Sequence, residues 1–306
     1  MQTIPGTELS VFPLCLGGNV FGGRSTEQES FAVLDAYVEA GGNFVDTADL
    51  YAGTESEIVI GRWMAARGNR DELVIATKVG MMDGLDNLKA ATIAQGAEDS
   101  LMRLGTDRID LFYTHRDDAD TPLEETARAL GDLVEVGKVR AIGASNLSAE
   151  RLVTALDISR AEGLPSYVAL QPHYNLVERG FETDGQQALC EREGLAVFPY
   201  FSLAMGFLTG KHRPEGSDED SKRTDGARKY LESDRGPRVL EVLDAIAAEY
   251  GTTPTAISLA WLLAQPTVMA PIASARVPEQ VPDLIAGVEL DLGPDELAKL
   301  DAASAE

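Results

Sequence analysis

The chain has 306 residues, with 26 Lys+Arg against 50 Asp+Glu, a formal net charge of −24 at pH 7 and a hydrophobic fraction of 44%. A surface this acidic repels phosphate backbones and anionic lipid, so the composition argues against a nucleic-acid partner and against docking on a membrane surface. The length and hydrophobic content are typical of one soluble α/β barrel, and we predict a single domain over residues 1–306.

The sequence carries no pattern of a secreted, membrane-spanning or metal-binding protein. No Lys or Arg precedes Arg24, and the apolar stretch 256–275 is interrupted by Pro266, so neither a secretory signal nor a spanning helix is predicted. Cys15 and Cys190 belong to no paired-cysteine or cysteine/histidine spacing, which predicts no disulfide framework and no metal site. These features predict a cytoplasmic protein.

Short apolar, β-branched runs alternate along the chain with longer stretches of helical spacing. In residues 122–136, for example, Leu123, Ala127, Leu130 and Val134 recur as on one face of a helix. Strand followed by helix, eight times over, predicts parallel strands joined by right-handed crossovers and closed into a (β/α)8 TIM barrel. The predicted strands are residues 14–16, 44–47, 73–79, 109–114, 139–144, 168–171, 195–200 and 268–272, and the clearest helical stretches are 26–40, 87–104, 122–136 and 148–162.

Three segments lie outside this repeat. Residues 1–13 predict a small N-terminal β-hairpin that closes the bottom of the barrel. Residues 211–238 are polar, charged and punctuated by Gly and Pro, which predicts a long loop after strand seven; a charged lid and a solvated disordered loop fit that composition equally well. Residues 295–300 predict a C-terminal helix.

Polar side chains stand at the carboxyl ends of successive predicted strands, where barrels carry their chemistry. Asp46 ends the second strand with Tyr51 soon after it, Lys78 ends the third, and His115 follows the fourth. A phenol with an ordinary pKa of about 10 is a poor acid at pH 7, and a neighbouring Lys lowers that pKa. These residues predict a site that protonates a developing alkoxide, with His115 as hydrogen-bond donor or competing proton donor and a nicotinamide as hydride source.

Each of these residues also has an ordinary structural explanation when it is taken singly. Asp46 could cap a helix, Tyr51 could pack as an amphipathic loop residue, and Lys78 could be exposed at a strand end. A barrel lyase that uses Lys78 as a Schiff-base nucleophile is a rival enzyme class. The combination in this order favours the first interpretation.

The motifs resemble those of the aldo-keto reductase family over nearly the whole chain. The matching segments are GNFVDTA at 42–48 with Tyr51 after it, VIATKV at 74–79, DLFYTHRDD at 110–118, GASN at 143–146 and QPHYN at 171–175. The resemblance implies a catalytic tetrad of Asp46, Tyr51, Lys78 and His115, with Tyr51 as the general acid. Some members of the family serve as cofactor-sensing channel subunits, which leaves a non-enzymatic function as an alternative.

The resemblance also implies a bound NADPH. No Gly-x-Gly-x-x-Gly opens a helix after a strand, since residues 17–22 have the wrong spacing, so strand-end residues must hold the dinucleotide. An Arg pairs with a 2′-phosphate better than with a bare ribose, which favours NADPH over NADH, although Leu284 stands where the family often has an Asn. The implied cofactor residues are Ser145, Asn146 and Gln171 at the carboxamide, Tyr200 stacked on the nicotinamide, Ser202, Leu203, Gly206, Leu208 and Lys211 along the loop after strand seven, and Ser274, Arg276, Gln280 and Asp283 at the adenosine phosphate.

Residues beside the strand ends predict the substrate pocket. Val20, Phe21, Met81 and Arg116 predict apolar walls with one cation nearby, and a partner for Arg116 among the adjacent aspartates is the alternative. Altogether we expect a cytoplasmic, NADPH-dependent reductase of an aldehyde or ketone that acts as a monomer or homodimer on a small-molecule carbonyl substrate.

Overall fold

Eight parallel strands curl around one axis in the computed structural model of the chain, which describes residues 1–212 and 222–305. Successive strands pair in chain order, and the last of them pairs with the first. Backbone hydrogen bonds close the remaining gap, since Val197 N donates to Thr267 O and Met269 N donates to Val197 O, both at 3.0 Å. This closed ring confirms the predicted (β/α)8 barrel. Its strands are β3 (Cys15–Gly17), β4 (Phe44–Asp46), β5 (Val74–Val79), β6 (Ile109–Thr114), β7 (Val139–Ser145), β8 (Tyr167–Gln171), β9 (Ala196–Val197) and β10 (Ile272–Ala273).

Helices surround the ring, and several begin at residues whose side chains cap them. The Thr26 side chain accepts from Glu29 N while Glu29 bonds back to Thr26, and Thr253 caps a helix that starts at Pro254. Within the described residues, no helix is long and apolar enough to cross a bilayer. The helices are α1 (Glu27–Glu39), α2 (Glu55–Arg67), α3 (Ala90–Leu104), α4 (Leu123–Glu135), α5 (Ala149–Glu162), α6 (Gly180–Thr183), α7 (Gln186–Glu193), α8 (Lys222–Leu231), α9 (Arg235–Tyr250), α10 (Pro254–Leu263), α11 (Val281–Glu289) and α12 (Pro294–Ser304).

An antiparallel hairpin of β1 (Gln2–Thr3) and β2 (Ser10–Val11) lies at the amino-terminal end of the barrel, as predicted. It is held there because Asn43, the residue before β4, donates from Nδ2 to Ser10 O and accepts from Phe12 N. Its apolar side chains join the barrel interior in one buried cluster, which includes Ile4, Leu9, Val11, Phe44, Leu111 and Phe198. The closed amino-terminal end leaves the opposite rim for ligands.

Part of the stretch predicted as a loop after strand seven is helical. Helix α8 and the start of α9 lie within residues 211–238, whereas residues 213–221 fall outside the described part of the chain. Ala227 and Tyr230 are buried, and the Tyr230 ring packs 5.4 Å from that of Phe207. The sequence did not predict helix α8, because a helix that buries only a few side chains has little apolar periodicity.

Candidate active site

A cavity of about 560 Å³ opens at the carboxyl ends of the barrel strands. Each strand of the barrel, or the segment directly after it, contributes to the wall. In chain order these wall residues are Gly17, Asp46, Met81, His115, Ser145, Gln171, Tyr200 and Ala273. The cavity therefore occupies the position at which barrels of this type build their reactive sites.

Lys78 lies fully buried behind the cavity wall and joins two of the predicted catalytic residues. Its Nζ donates to Asp46 Oδ2 at 2.6 Å, to Thr47 O at 2.6 Å and to the Tyr51 hydroxyl at 3.3 Å. Strand pairing explains the contact with Asp46: Asp46 is opposite Ala76, and Lys78 lies two residues further along the same face of β5. All three donors of the ammonium group thus have an acceptor.

Burial and neighbouring charges shift the pKa values of Lys78 and Tyr51 in opposite directions. Burial lowers the pKa of Lys78, but Asp46 and Tyr51 raise it more, so the ammonium stays charged. Burial raises the pKa of Tyr51 and the charge of Lys78 offsets only part of that effect, so the net shift is upward. Lys78 lowers the pKa of Tyr51 as expected, but burial raises that pKa by more, so it does not fall below its ordinary value. Tyr51 therefore keeps its proton at neutral pH until a more basic oxygen, such as a developing alkoxide, approaches it.

His115 lies on the cavity wall beside Tyr51, with ring centroids 5.9 Å apart and ring planes at 77°. Burial, followed by the charges of Lys78 and Arg116, lowers its pKa to about 3. The imidazole is neutral at pH 7, so it can donate a hydrogen bond but does not carry an acidic proton near neutrality. Its backbone is held by Asn146, whose Nδ2 donates to His115 O at 2.9 Å.

The residues implied for the carboxamide form one hydrogen-bonded cluster. Ser145 Oγ donates to Gln171 O at 2.9 Å, Asn146 Nδ2 donates to Ser145 Oγ at 3.1 Å, and the Tyr200 hydroxyl donates to Asn146 Oδ1 at 2.8 Å. Asn146 has a φ of 55°, a left-handed conformation that Asn tolerates better than most residues. Gln171 Nε2 also donates to Asp46 Oδ1 at 2.9 Å, a contact that the sequence did not predict. The cluster is therefore continuous with the Lys78 group.

Another part of the cavity wall brings together residues that are far apart in sequence. Ser274 Oγ donates to Asn19 Oδ1 at 2.8 Å, and Arg276 N donates to Gln280 Oε1 at 2.8 Å, while the Arg276 residue is exposed. A short 3-10 helix at Ala204–Thr209 contributes Met205, Gly206 and Thr209 to the wall. The predicted cofactor residues on this part of the wall are Ser202, Leu203, Gly206, Lys211, Ser274, Arg276, Gln280 and Asp283.

Four of the predicted cofactor and substrate residues do not reach the cavity wall, and these predictions are corrected. Val20 and Phe21 are completely buried in a core cluster, because Phe21 N donates to Gly18 O and turns the segment after β3 inward. Leu208 is also completely buried, in the outer core. Arg116 donates to Asp86 O at 2.7 Å and lies outside the wall, so its partner is Asp86 and not one of the adjacent aspartates Asp117, Asp118 and Asp120. Of the predicted substrate residues, Met81 is on the wall.

Several wall residues were missed by the sequence analysis. Asn19 follows the end of β3, so the strand-end rule that found Asp46 could have found it. Leu50 and Phe201 are direct neighbours of Tyr51 and Tyr200. The start of α10 carried no local signal of cavity lining, since only the tertiary packing brings it to the rim. The missed residues include Asn19, Leu50, Phe201, Met205, Thr209, Thr253, Pro254 and Thr255.

Comparison with known proteins relates this chain to one enzyme family. The family model described as the aldo/keto reductase family matches residues 13–305. The chain is 33% identical to norsolorinic acid reductase of Emericella nidulans over 97% of its length and 79% of the relative. It is 31% identical to the aryl-alcohol dehydrogenase (NADP(+)) of Phanerodontia chrysosporium, covering 98% and 84%, and 34% identical to the uncharacterized oxidoreductase YrpG of Bacillus subtilis, covering 96% and 93%. The chain belongs to the aldo/keto reductase family.

Proposed function

We propose that this oxidoreductase reduces an aldehyde or ketone to an alcohol with NADPH, and that Tyr51 donates the proton. One observation carries the proposal: a buried ammonium, Lys78, lies between the Asp46 carboxylate and the Tyr51 hydroxyl at the wall of a large cavity. Such an arrangement suits an acid that must be stabilised as an anion after it has lost its proton.

The residues along the cavity fit an elongated dinucleotide. One part of the wall offers amide and hydroxyl groups at Asn146, Gln171 and Tyr200, and another offers Ser274 and the exposed Arg276. When bound, NADPH supplies the hydride. Arg276 suits the 2′-phosphate because a guanidinium binds phosphate with two parallel hydrogen bonds, and the printed name of the NADP(+) relative supports the same preference.

Residues of the protein donate the proton to the carbonyl oxygen and stabilise the anion that is left. Tyr51 gives its proton to the carbonyl oxygen as negative charge develops there, and the Lys78 ammonium stabilises the phenolate that remains. Asp46 and the Thr47 carbonyl keep Lys78 charged and in place. His115, neutral at pH 7, orients the carbonyl oxygen by a hydrogen bond.

The lyase alternative fits the geometry poorly. A Schiff-base lysine must present a neutral amine, whereas Lys78 has no exposed surface, uses its three donors and has a raised pKa. Borohydride treatment in the presence of a carbonyl substrate is therefore expected to leave Lys78 unmodified.

The proposal is tested by following the absorbance of NADPH and of NADH with a panel of aldehydes and ketones, aromatic aldehydes first because one relative is named an aryl-alcohol dehydrogenase. We expect turnover with the better carbonyls and faster turnover with NADPH. Tyr51→Phe should lower kcat by about 10²-fold or more while the Kd for NADPH is unchanged. Tyr250→Phe, at an exposed tyrosine at the end of α9, is the matched control. Tight NADPH binding without turnover of any carbonyl would contradict the proposal and favour a cofactor-sensing function.

A further inference from the structure

Asp49 is a buried carboxyl group that the proposed chemistry does not use. It lies three residues after the end of β4 and is only 1% exposed, yet neither of its oxygens has a hydrogen-bond partner of good geometry within the described residues. It is not part of the cavity wall. Burying an unpaired carboxylate is costly, and such groups in folded proteins call for an explanation.

The charged neighbours of Asp49 are already paired with other groups. Glu57 of α2 accepts from Thr77 Oγ1 at 2.5 Å and from Arg103 Nε at 2.6 Å, so both of its oxygens are satisfied. Lys78 is held by Asp46 and Tyr51 as described above. The cluster therefore contains three carboxyl groups, Asp46, Asp49 and Glu57, against two cations, Lys78 and Arg103. It is electrically balanced only when one carboxyl group carries a proton, and Asp49 is the one whose oxygens have no hydrogen bond of good geometry.

Asp49 is also mechanically and electrostatically coupled to the proton donor. It precedes Tyr51 by two residues, and its backbone N donates to Lys78 O at 3.4 Å. Burial and the charge of Glu57 raise the pKa of Asp49 to about 7, against opposing effects of Arg103, the Leu50 amide and Lys78. Ionised Asp49 in turn is one of the charges that raise the pKa of Tyr51, because it disfavours a second anion nearby.

We propose that Asp49 is a positioning residue of the proposed reduction: in its protonated form it keeps the Asp46, Lys78, Glu57 and Arg103 cluster balanced, and its ionisation slows proton donation by Tyr51. The group acts through Tyr51 and Lys78 and touches neither substrate nor cofactor. This role rests on the proposed function. With this role, carbonyl reduction is faster on the acid side of neutrality and slower on the alkaline side. The group that titrates is a buried residue of the protein and not a group of the substrate.

The test is the pH profile of kcat for carbonyl reduction at saturating NADPH, measured between about pH 5.5 and about pH 8.5, a range that brackets the Asp49 pKa. For the wild type we expect a fall of about fivefold through neutrality, the size expected when one charge acts over several ångströms. Asp49→Asn, which is permanently neutral and nearly isosteric, should remain at the acid-side value throughout. Glu55→Gln removes an exposed charge from the same segment and should follow the wild type.

A second measurement detects the proton directly. Infrared difference spectra of the wild type should contain the C=O stretch of a protonated carboxyl group on the acid side that disappears on the alkaline side, and Asp49→Asn should lack it. A wild-type kcat without a step near neutrality, or the same step in Asp49→Asn, would overturn the role of Asp49 while leaving the reductase function intact. Failure of the wild type to reduce any carbonyl would instead overturn the function and this role together.

Discussion

Two buried carboxyl groups, one at each end of the barrel, differ in their hydrogen bonds. At the amino-terminal end, Asp110 has no exposed surface and accepts from Ile75 N at 2.9 Å, with Arg70 Nη2 at 2.8 Å and Arg140 Nη1 at 3.0 Å. At the carboxyl-terminal rim, Asp49 is equally buried and has no such partners. Satisfied charges at the first end support the fold, whereas the unsatisfied carboxyl group at the other end lies next to the residues for which we propose the chemistry.

The difference between Asp110 and Asp49 shows that this fold leaves buried charge unbalanced at the rim of the barrel and not around Asp110. At the rim, the Lys78 ammonium donates hydrogen bonds to both Asp46 and Tyr51. The three carboxyl groups of this cluster outnumber its two cations. Groups held in this way shift their pKa and so become useful for proton transfer, but they also cost stability. The comparison therefore predicts that rim substitutions change activity, with a pH-dependent effect on stability at Asp49, and that substitutions at the amino-terminal end change stability alone.

The largest effect is expected from Lys78→Met at the rim. Met keeps the length of the side chain but removes the ammonium that stabilises a Tyr51 phenolate, so kcat should fall by about 10²-fold or more. Circular dichroism should show a folded barrel, and the Kd for NADPH measured by fluorescence should change little. Lys299→Met, at an exposed lysine paired with Glu296, is the control. Near-normal turnover of Lys78→Met would contradict the prediction that rim substitutions change activity.

The second effect is expected from Asp110→Asn at the amino-terminal end. The substitution leaves three arginines, Arg70, Arg108 and Arg140, without their shared buried carboxylate, and the free energy of unfolding should fall by about 3 kcal/mol. Urea unfolding measures that loss, and kcat of the folded variant should match the wild type. Asp71→Asn removes an exposed partner of Arg108 and should leave the free energy of unfolding nearly unchanged. A large loss of kcat in folded Asp110→Asn would show that the two ends are not separable.

A smaller effect, visible only as a pH dependence, is expected from Asp49→Asn in unfolding experiments. The Asp49 pKa of about 7 in the folded protein lies above the ordinary value of 3.8, so the folded state holds a proton that the unfolded state releases. The stability from this group is complete below the ordinary pKa and is lost as the pH rises through about 7. Between about pH 5 and about pH 8 the wild type should lose about 2 to 3 kcal/mol that Asp49→Asn retains.

Thermal and urea unfolding of both proteins across that range make the measurement, with Glu55→Gln as the exposed control. Wild-type and Asp49→Asn curves that stay parallel with pH would show that Asp49 does not titrate near neutrality. The contrast between the two ends of the barrel would then rest on geometry alone.

Prediction from the sequence succeeded where one rule of parallel sheets applies. Because the carboxyl ends of parallel strands meet at one rim, polar residues at strand ends had to converge, and Asp46, Ser145 and Gln171 do so in the structure. The same rule failed for Val20 and Phe21. Both follow a strand end, but the backbone turn at Gly18 directs these apolar side chains into the core. No local sequence pattern predicts that turn.

The alternation of strand and helix, and the type of residue at each strand end, were determined by the sequence itself, because period and residue chemistry are local properties of the chain. Only the tertiary structure decided the sign of the Tyr51 pKa shift, the contact of Gln171 with Asp46 and the isolation of Asp49. Those features depend on burial and on distances between segments up to 125 residues apart, which the order of residues along the chain does not contain.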